Sequence, residues 1–120
     1  MHTVFHKSAW PFAIAVVATL VTVTVALAHP PIDIVASNWK FTPAKISIPV
    51  NEPTTLHITS SAGVHGIESK DLGIKQTTIS PGKFVDVTFT PKKAETYVLH
   101  CAIVCGPGHG DMTFTIEVTP

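Results

Sequence analysis

Apolar and polar residues alternate along most of the chain from residue 32 onward, in short runs rich in β-branched and aromatic side chains. Ile46 and Ile48 share one face of such a run, and Phe114, Ile116 and Val118 share one face of the last run. A period of two is typical of β-strands that bury one face. The pattern predicts strands over residues 32–36, 45–49, 54–60, 83–90, 96–100 and 113–118.

Proline and glycine separate the predicted strands, at Pro43, Pro53, Gly82 and Pro91 among other positions. No helical apolar stripe of useful length follows residue 28, so the sequence predicts an all-β fold, a Greek-key β-sandwich or barrel. Two longer irregular stretches, residues 60–72 and 101–111, are rich in glycine. Binding sites are usually built on loops of a rigid scaffold. The pattern is compatible with these two stretches meeting at one end of the sandwich, and the registers of the strands decide whether they do.

The first 28 residues form a separate segment. Residues 12–28 are a run of 17 without a charged side chain, which ends in Ala26, Leu27 and Ala28 directly before His29. Two small residues around a variable one, after an apolar run, are typical of a signal-peptidase site, and the run also has the minimum length of a membrane span. We expect a helical hydrophobic segment over residues 1–28, either a cleaved signal peptide or a single-span anchor, with a buried helix of the domain as the remaining alternative. Residues 29–120 are then one domain outside the cytoplasmic membrane.

The charge of the chain disfavours one class of function. Eight lysines balance eight acidic residues, and the sequence has no arginine. Nucleic-acid binding requires clustered positive charge, so we expect no nucleic-acid partner.

The candidate chemistry is concentrated between residues 101 and 112. Cys101, Cys105, His109 and Met112 follow the spacing Cys-x3-Cys-x3-His-x2-Met, and His65 lies upstream. Thiolate and thioether sulfur select copper(I), and imidazole binds copper in both oxidation states, so the set predicts a copper site.

Two simpler interpretations stay open on the residues alone. Two cysteines in an exported chain can form a single disulfide. Zinc also binds Cys and His, although a thioether such as that of Met112 is not among its usual ligands.

The order of a strand, a glycine-rich ligand loop and a final strand resembles the ligand loop of a cupredoxin. The second cysteine narrows the resemblance, because a mononuclear blue-copper site uses one Cys, two His and an axial Met. The chain resembles the CuA domain of cytochrome c oxidase subunit II, in general plan over residues 32–118. The matching pieces are Gly-Val-His-Gly-Ile at 63–67, Leu-Gly-Ile-Lys at 72–75, Ile-Ser-Pro-Gly at 79–82, Tyr97, and Cys-x3-Cys-Gly-x-Gly-His-x2-Met at 101–112.

This resemblance implies a cupredoxin-type sandwich that holds two copper ions in a CuA centre. In this resemblance Cys101 and Cys105 supply the bridging thiolates, and His65 and His109 supply one imidazole each. The weak ligands are the Met112 sulfur and the backbone carbonyl of Ile103. Ile103 lacks the carboxylate that many subunit II chains place there beside magnesium, so no magnesium link is expected. The apolar residues expected to keep water from the metals are Ile67, Ala102, Val104 and Pro107.

The function implied by the resemblance is electron transfer, with no bond-making catalysis by the chain alone. The chain would take single electrons from a cytochrome c or a small copper protein and pass them to subunit I of a heme–copper oxidase or to a reductase. The implied location is periplasmic or otherwise extracytoplasmic, with residues 12–28 as the membrane anchor if they are retained. Two alternatives remain, a mononuclear blue-copper carrier using His65, Cys105, His109 and Met112, and a copper delivery or storage protein.

Overall fold

The structure is a computed structural model that describes residues 2, 11, 14–24 and 28–120. Within residues 28–120 the regular structure is nine strands and one 3₁₀ turn at His109–Asp111. The strands are β1 Ile32–Ser37, β2 Lys40–Thr42, β3 Lys45–Pro49, β4 Thr54–Ser60, β5 His65–Ser69, β6 Ile74–Ile79, β7 Val85–Phe89, β8 Thr96–His100 and β9 Thr113–Thr119. The predicted all-β fold is confirmed.

The strands form two packed sheets and a hairpin. One sheet has the order β2-β1-β4-β7, the other has the order β3-β9-β8, and β5 pairs with β6. β1 runs parallel to β4, and β3 runs parallel to β9, so each of the larger sheets mixes parallel and antiparallel pairs. Parallel neighbours cannot be joined by a tight turn, so other strands lie between them in the chain, as expected of a sandwich whose strands cross between the sheets.

The core lies between the two larger sheets, where the inward faces predicted from the alternation meet. In β4 every second residue is buried, including Leu56 and Ile58, and in β9 the same is true of Phe114, Ile116 and Val118. Burying a side chain of this size contributes about 1.5–3 kcal/mol. The alternation in the sequence therefore fixes which face of each strand packs inward.

Three strands were not predicted. β5 lies inside the stretch of residues 60–72 that was expected to be irregular, so His65 is the first residue of a strand and not a loop residue. β6 buries Ile74 and Ile79 at its two ends and little between them, and β2 has only three residues. In such strands the alternation of apolar and polar residues is too short to predict a strand.

The helical segment expected over residues 1–28 is not seen in the part of it that the structure describes. Residues 14–24 form neither helix nor strand, and their side chains are exposed. Residues 1, 3–10, 12–13 and 25–27 lie outside the described residues. Among the residues that are described, no helix is long and apolar enough to cross a membrane. Cleavage or retention of the segment stays a prediction.

Candidate metal centre

The two ligand-bearing segments meet at one end of the sandwich through backbone hydrogen bonds. The Cys101 N–H donates to the Met112 carbonyl at 3.0 Å, which closes the base of the loop between β8 and β9. The Ala102 N–H donates to the Gly66 carbonyl at 2.9 Å, which joins this loop to β5. The loop that carries the cysteines is thereby fixed against the strand that carries His65.

His65, Cys101 and Cys105 form a compact cluster of potential metal ligands. One ring nitrogen of His65 and the two sulfur atoms all lie within 4.8 Å of one another. His65 and Cys101 are buried, and Cys105 is half-buried. Both cysteines are free thiols in the structure, so the disulfide interpretation finds no support here.

The His65 ring has one nitrogen engaged and one without a partner. Its Nε2 lies 2.7 Å from the Ala62 carbonyl, which can only accept, so Nε2 carries the hydrogen and Nδ1 holds the lone pair. Nδ1 is buried and has no hydrogen-bond partner. An unsatisfied buried polar atom costs about 1–3 kcal/mol and calls for an explanation such as a metal ion. The donor set of this site therefore fits copper.

Gly63 makes the position of this ring possible. Its φ is +78°, and a Cβ there would stand 2.4 Å from Asn38 Oδ1 and 3.0 Å from His65 Nε2. Glycine adopts a positive φ without the steric cost that other residues meet. A side chain at this position would displace either Asn38 or the ring that faces the two sulfurs.

Cys105 is surrounded by the remaining candidate ligands. Its Sγ lies 3.4 Å from His109 Nδ1 and 3.8 Å from Met112 Sδ. Cys101 Sγ lies 3.2 Å from the Ile103 carbonyl oxygen. All six residues implied by the resemblance are thus gathered in one place, with His109 and Met112 on the Cys105 side. Their individual roles as ligands stay predictions.

The environment of Cys105 favours the neutral thiol when no metal is bound. Burial, and after it a hydrogen bond and a charge interaction with Cys101, together raise the pKa of this thiol to about 11. Copper binds the thiolate, so a metal entering this site has to displace protons.

Trp39 is a contributor to the site that the sequence did not reveal. Its indole N–H donates to the Cys105 carbonyl oxygen at 2.8 Å. A Cβ on Gly108 would stand 2.6 Å from two ring atoms of Trp39, and one on Gly106 would stand 3.0 Å from Nε1. The ring therefore lies flat against the loop between the cysteines and His109. The Gly-x-Gly at 106–108 could have indicated that a large side chain packs on this loop, because glycines mark places where another group approaches the backbone closely.

The predicted water-excluding neighbours divide into two groups. Ile67 is fully buried and Ala102 is half-buried, as expected. Val104 is 87 % exposed and Pro107 is exposed, so these two do not shield the site, and that part of the prediction is wrong. Trp39, in the turn between β1 and β2, covers the loop instead, because its ring packs against the loop backbone at Gly106 and Gly108.

The fold and the ligand loop define a class of protein. The chain matches the family model of the cupredoxin-like domain over residues 11–113, and it belongs to that family. Among curated proteins it is 33% identical over 73 residues to cytochrome c oxidase subunit 2 of Cyanidium caldarium. That match covers 61% of this chain and 28% of the relative, so the chain spans just over a quarter of the relative's length.

Solved structures with the same fold include two oxidase proteins. The periplasmic domain of cytochrome oxidase subunit II (CoxB) of Bradyrhizobium japonicum superposes with a TM-score of 0.69 at 18% identity, covering 80% of this chain and 88% of that one. A chain of a heme-copper terminal oxidase dimer superposes with a TM-score of 0.65 at 23% identity, covering 87% of this chain and 80% of that one. At these identities the likeness supports the fold alone, and the predicted cupredoxin-type sandwich is confirmed.

Proposed function

We propose that this chain is an electron carrier with a dinuclear CuA-type copper centre. The observation that carries the proposal is the cluster of two free thiols and the His65 ring, whose Nδ1 is buried and has no hydrogen-bond partner. A mononuclear blue-copper site needs only one thiolate, and here the second one, Cys101, is buried beside His65. The additional sulfur favours two metals over one.

The chain's own residues would hold the centre in a fixed arrangement. Cys101 and Cys105 would supply the bridging thiolates, and His65 and His109 would supply one imidazole each. Met112 sulfur and the Ile103 carbonyl would be the weak ligands. Copper bound in this way takes up and releases one electron.

The proposed ligand set suits electron transfer better than catalysis. Catalytic metal sites keep a coordination position open for water or substrate. Here five of the six proposed ligands come from the loop between β8 and β9, which is held by the Cys101–Met112 and Ala102–Gly66 backbone hydrogen bonds. A loop held in this way would keep its ligands in place in both oxidation states.

The proposed partners are a redox-protein donor, a cytochrome c or a small copper protein, and a heme–copper oxidase acceptor. Support for the acceptor comes from the similarity to cytochrome c oxidase subunit 2. Support for a protein donor comes from apolar side chains left exposed beside the ligands, Val64 next to His65 and Val104 next to Cys105. Contiguous exposed apolar patches mark protein contact surfaces, and we propose that these two side chains belong to one such patch.

We also propose an extracytoplasmic location. The solved domain from Bradyrhizobium japonicum is described as periplasmic, and the run that ends at Ala28 has the pattern of a secretion signal. Anchoring through residues 12–28 is the alternative to their removal.

Copper counting tests the proposal. The full chain, freed of metal, is loaded with copper and analysed for copper per chain and for its absorption spectrum. The proposal predicts two copper ions, whereas a single ion with an intense blue band supports a mononuclear carrier. Tight copper(I) binding without reversible oxidation and reduction supports delivery or storage.

A Cys101→Ser variant separates the two redox candidates. The proposal predicts that this variant binds fewer copper ions and loses the dinuclear spectrum, because only one thiolate remains to bridge. Retention of the wild-type spectrum and copper content would show that Cys101 is not a ligand.

A further inference from the structure

His29 lies at the opposite end of β1 from the candidate metal centre. β1 begins at Ile32 and ends at Ser37, next to the turn whose Trp39 contacts the ligand loop. Six residues of extended chain span about 20 Å. His29 therefore cannot share a metal ion with His65 or the cysteines.

The ring of His29 is held by a carboxylate although it is exposed. Its Nε2 pairs with Glu52 Oε2, a residue of the turn between β3 and β4, while 61% of the side chain remains exposed. Pro30 and Pro31 follow, and their fixed φ angles limit the motion of His29 relative to β1. The residue also lines a cavity of about 270 Å³ with Thr54 and Thr55.

We propose that removal of the leader after Ala28 creates a second copper(II) site, at which the α-amine and Nδ1 of His29 bind one ion while Glu52 holds the ring through Nε2. This inference rests on the predicted cleavage after Ala28 and does not depend on the dinuclear centre. The ligand is a single copper(II) ion.

The chemistry of the new terminus supports this site. An N-terminal histidine offers two nitrogens to one metal, and nitrogen ligands suit copper(II), which heads the divalent affinity order. Metal-binding histidines almost always give their other ring N–H to a carboxylate, a backbone carbonyl or water, and here Glu52 supplies the carboxylate. Pro30 has no backbone N–H, so coordination cannot extend to the next backbone nitrogen, and oxygen ligands or water complete the site. Binding releases the amine proton to solvent.

The test uses the protein exported through its own leader and purified without a tag. Intact mass identifies the first residue, and copper(II) is then titrated into the Cys101→Ser/Cys105→Ser variant and followed by electron paramagnetic resonance. The proposal predicts His29 as the first residue and one mononuclear, nitrogen-ligated copper(II) per chain. His29→Gln should lose this ion, and Glu52→Gln should bind it about 10-fold more weakly.

A matched control comes from His57, whose Nδ1 lies 2.5 Å from Asp86 Oδ1 but which has no terminal amine. His57→Gln should bind copper(II) like its parent, and circular dichroism should show all variants folded. In the wild-type background, His29→Gln should remove one bound ion and leave any dinuclear signal unchanged, which keeps this inference separate from the proposed function. A mature chain that begins at another residue, or unchanged binding in His29→Gln, would overturn the inference.

Discussion

The His65 ring is oriented by its surroundings before any metal binds. Its Nε2–H donates to the Ala62 carbonyl, and the backbone of Gly63 passes close to the same nitrogen. Nδ1 is left buried and without a hydrogen-bond partner, and one nitrogen of the ring lies within 4.8 Å of both cysteine sulfurs. A metal-binding histidine is normally oriented by such a contact on its other nitrogen. Copper binding would therefore satisfy an atom that folding alone leaves unpaired.

A His65→Leu variant tests this role through stability. A ligand that binds only the folded state stabilises it, by about 2.7 kcal/mol at a ligand concentration 100 times the dissociation constant. Copper should therefore raise the unfolding free energy of the wild type and have little effect on the variant. Without metal, the variant should lose no more than about 2 kcal/mol, because it removes an unsatisfied nitrogen together with one hydrogen bond. Denaturant unfolding with and without copper measures both effects.

His100→Leu is the matched control, because His100 precedes Cys101 but is exposed. It should keep the full stabilisation by copper. Equal stabilisation of His65→Leu and the wild type would rule out His65 as a ligand.

The pKa of Cys105 predicts a pH dependence for the metal-free protein. Burial, followed by the contact with Cys101, raises this pKa to about 11 from an ordinary value of 9.0. The folded state thus favours the neutral thiol, and this contribution to stability is complete below pH 9 and is lost as the pH rises through about 11. In reducing conditions the unfolding free energy of the wild type should fall across this range relative to Cys105→Ser. A constant difference between the two proteins would contradict the assignment.

At the scale of single residues, the sequence was most informative at the residue types that occur rarely in this chain and can bind a metal. The chain has two cysteines, and their spacing to His109 and Met112 predicted a copper site. The full ligand set, with His65 and the Ile103 carbonyl, came from the resemblance to the CuA domain. Trp39 could not be assigned from sequence, because its contact with Cys105 joins residues 66 positions apart. Val104 was wrongly expected to shield the site from water, and it is exposed. The direction of a loop side chain follows from the contacts of the backbone and not from the hydrophobicity of the residue.

At the scale of elements, the turn between β1 and β2 contacts both ligand-bearing segments. Asn38 lies against Gly63, just before His65, and Trp39 lies against Gly106 and Gly108 in the cysteine loop. The indole N–H also bonds the Cys105 carbonyl. This turn therefore holds the two segments in register with each other.

Gly108→Ala should disturb this arrangement, because the new Cβ would stand 2.6 Å from the Trp39 ring. Overpacking of this kind typically costs about 1–3 kcal/mol. We expect a lower unfolding free energy and altered copper spectra, measured by denaturant unfolding and optical spectroscopy. Gly110→Ala is the matched control, since nothing lies within 4 Å of a Cβ there. Equal effects of the two substitutions would argue against the contact.

The strands that carry clear alternation were predicted, and those that carry little were not. β4 and β9 have one fully apolar or buried face, whereas β6 has polar residues between Ile74 and Ile79. Glycines on both sides of His65 obscured the strand pattern of β5, which pairs with β6 and begins at the fully buried His65. A short strand stabilised by one neighbour is defined by tertiary packing more than by its own sequence.

At the scale of the whole molecule, the sandwich brings together segments that are far apart in the chain. β9 lies between β3 and β8, and β1 lies beside β4, pairings that alternation alone cannot assign because it gives a face and not a partner. The fold class was predictable, and the resemblance supplied the expectation that the two ligand segments meet. In the structure the two segments are joined by the hydrogen bond from the Ala102 N–H to the Gly66 carbonyl.

Electron paramagnetic resonance of the copper-loaded full chain is the most direct test of the central claim, that two thiols and two imidazoles enclose a pair of copper ions. The account predicts a mixed-valence spectrum whose hyperfine pattern shows one unpaired electron shared equally by two copper nuclei. A spectrum from a single copper nucleus in the wild-type protein, at full copper loading of this site, would contradict it.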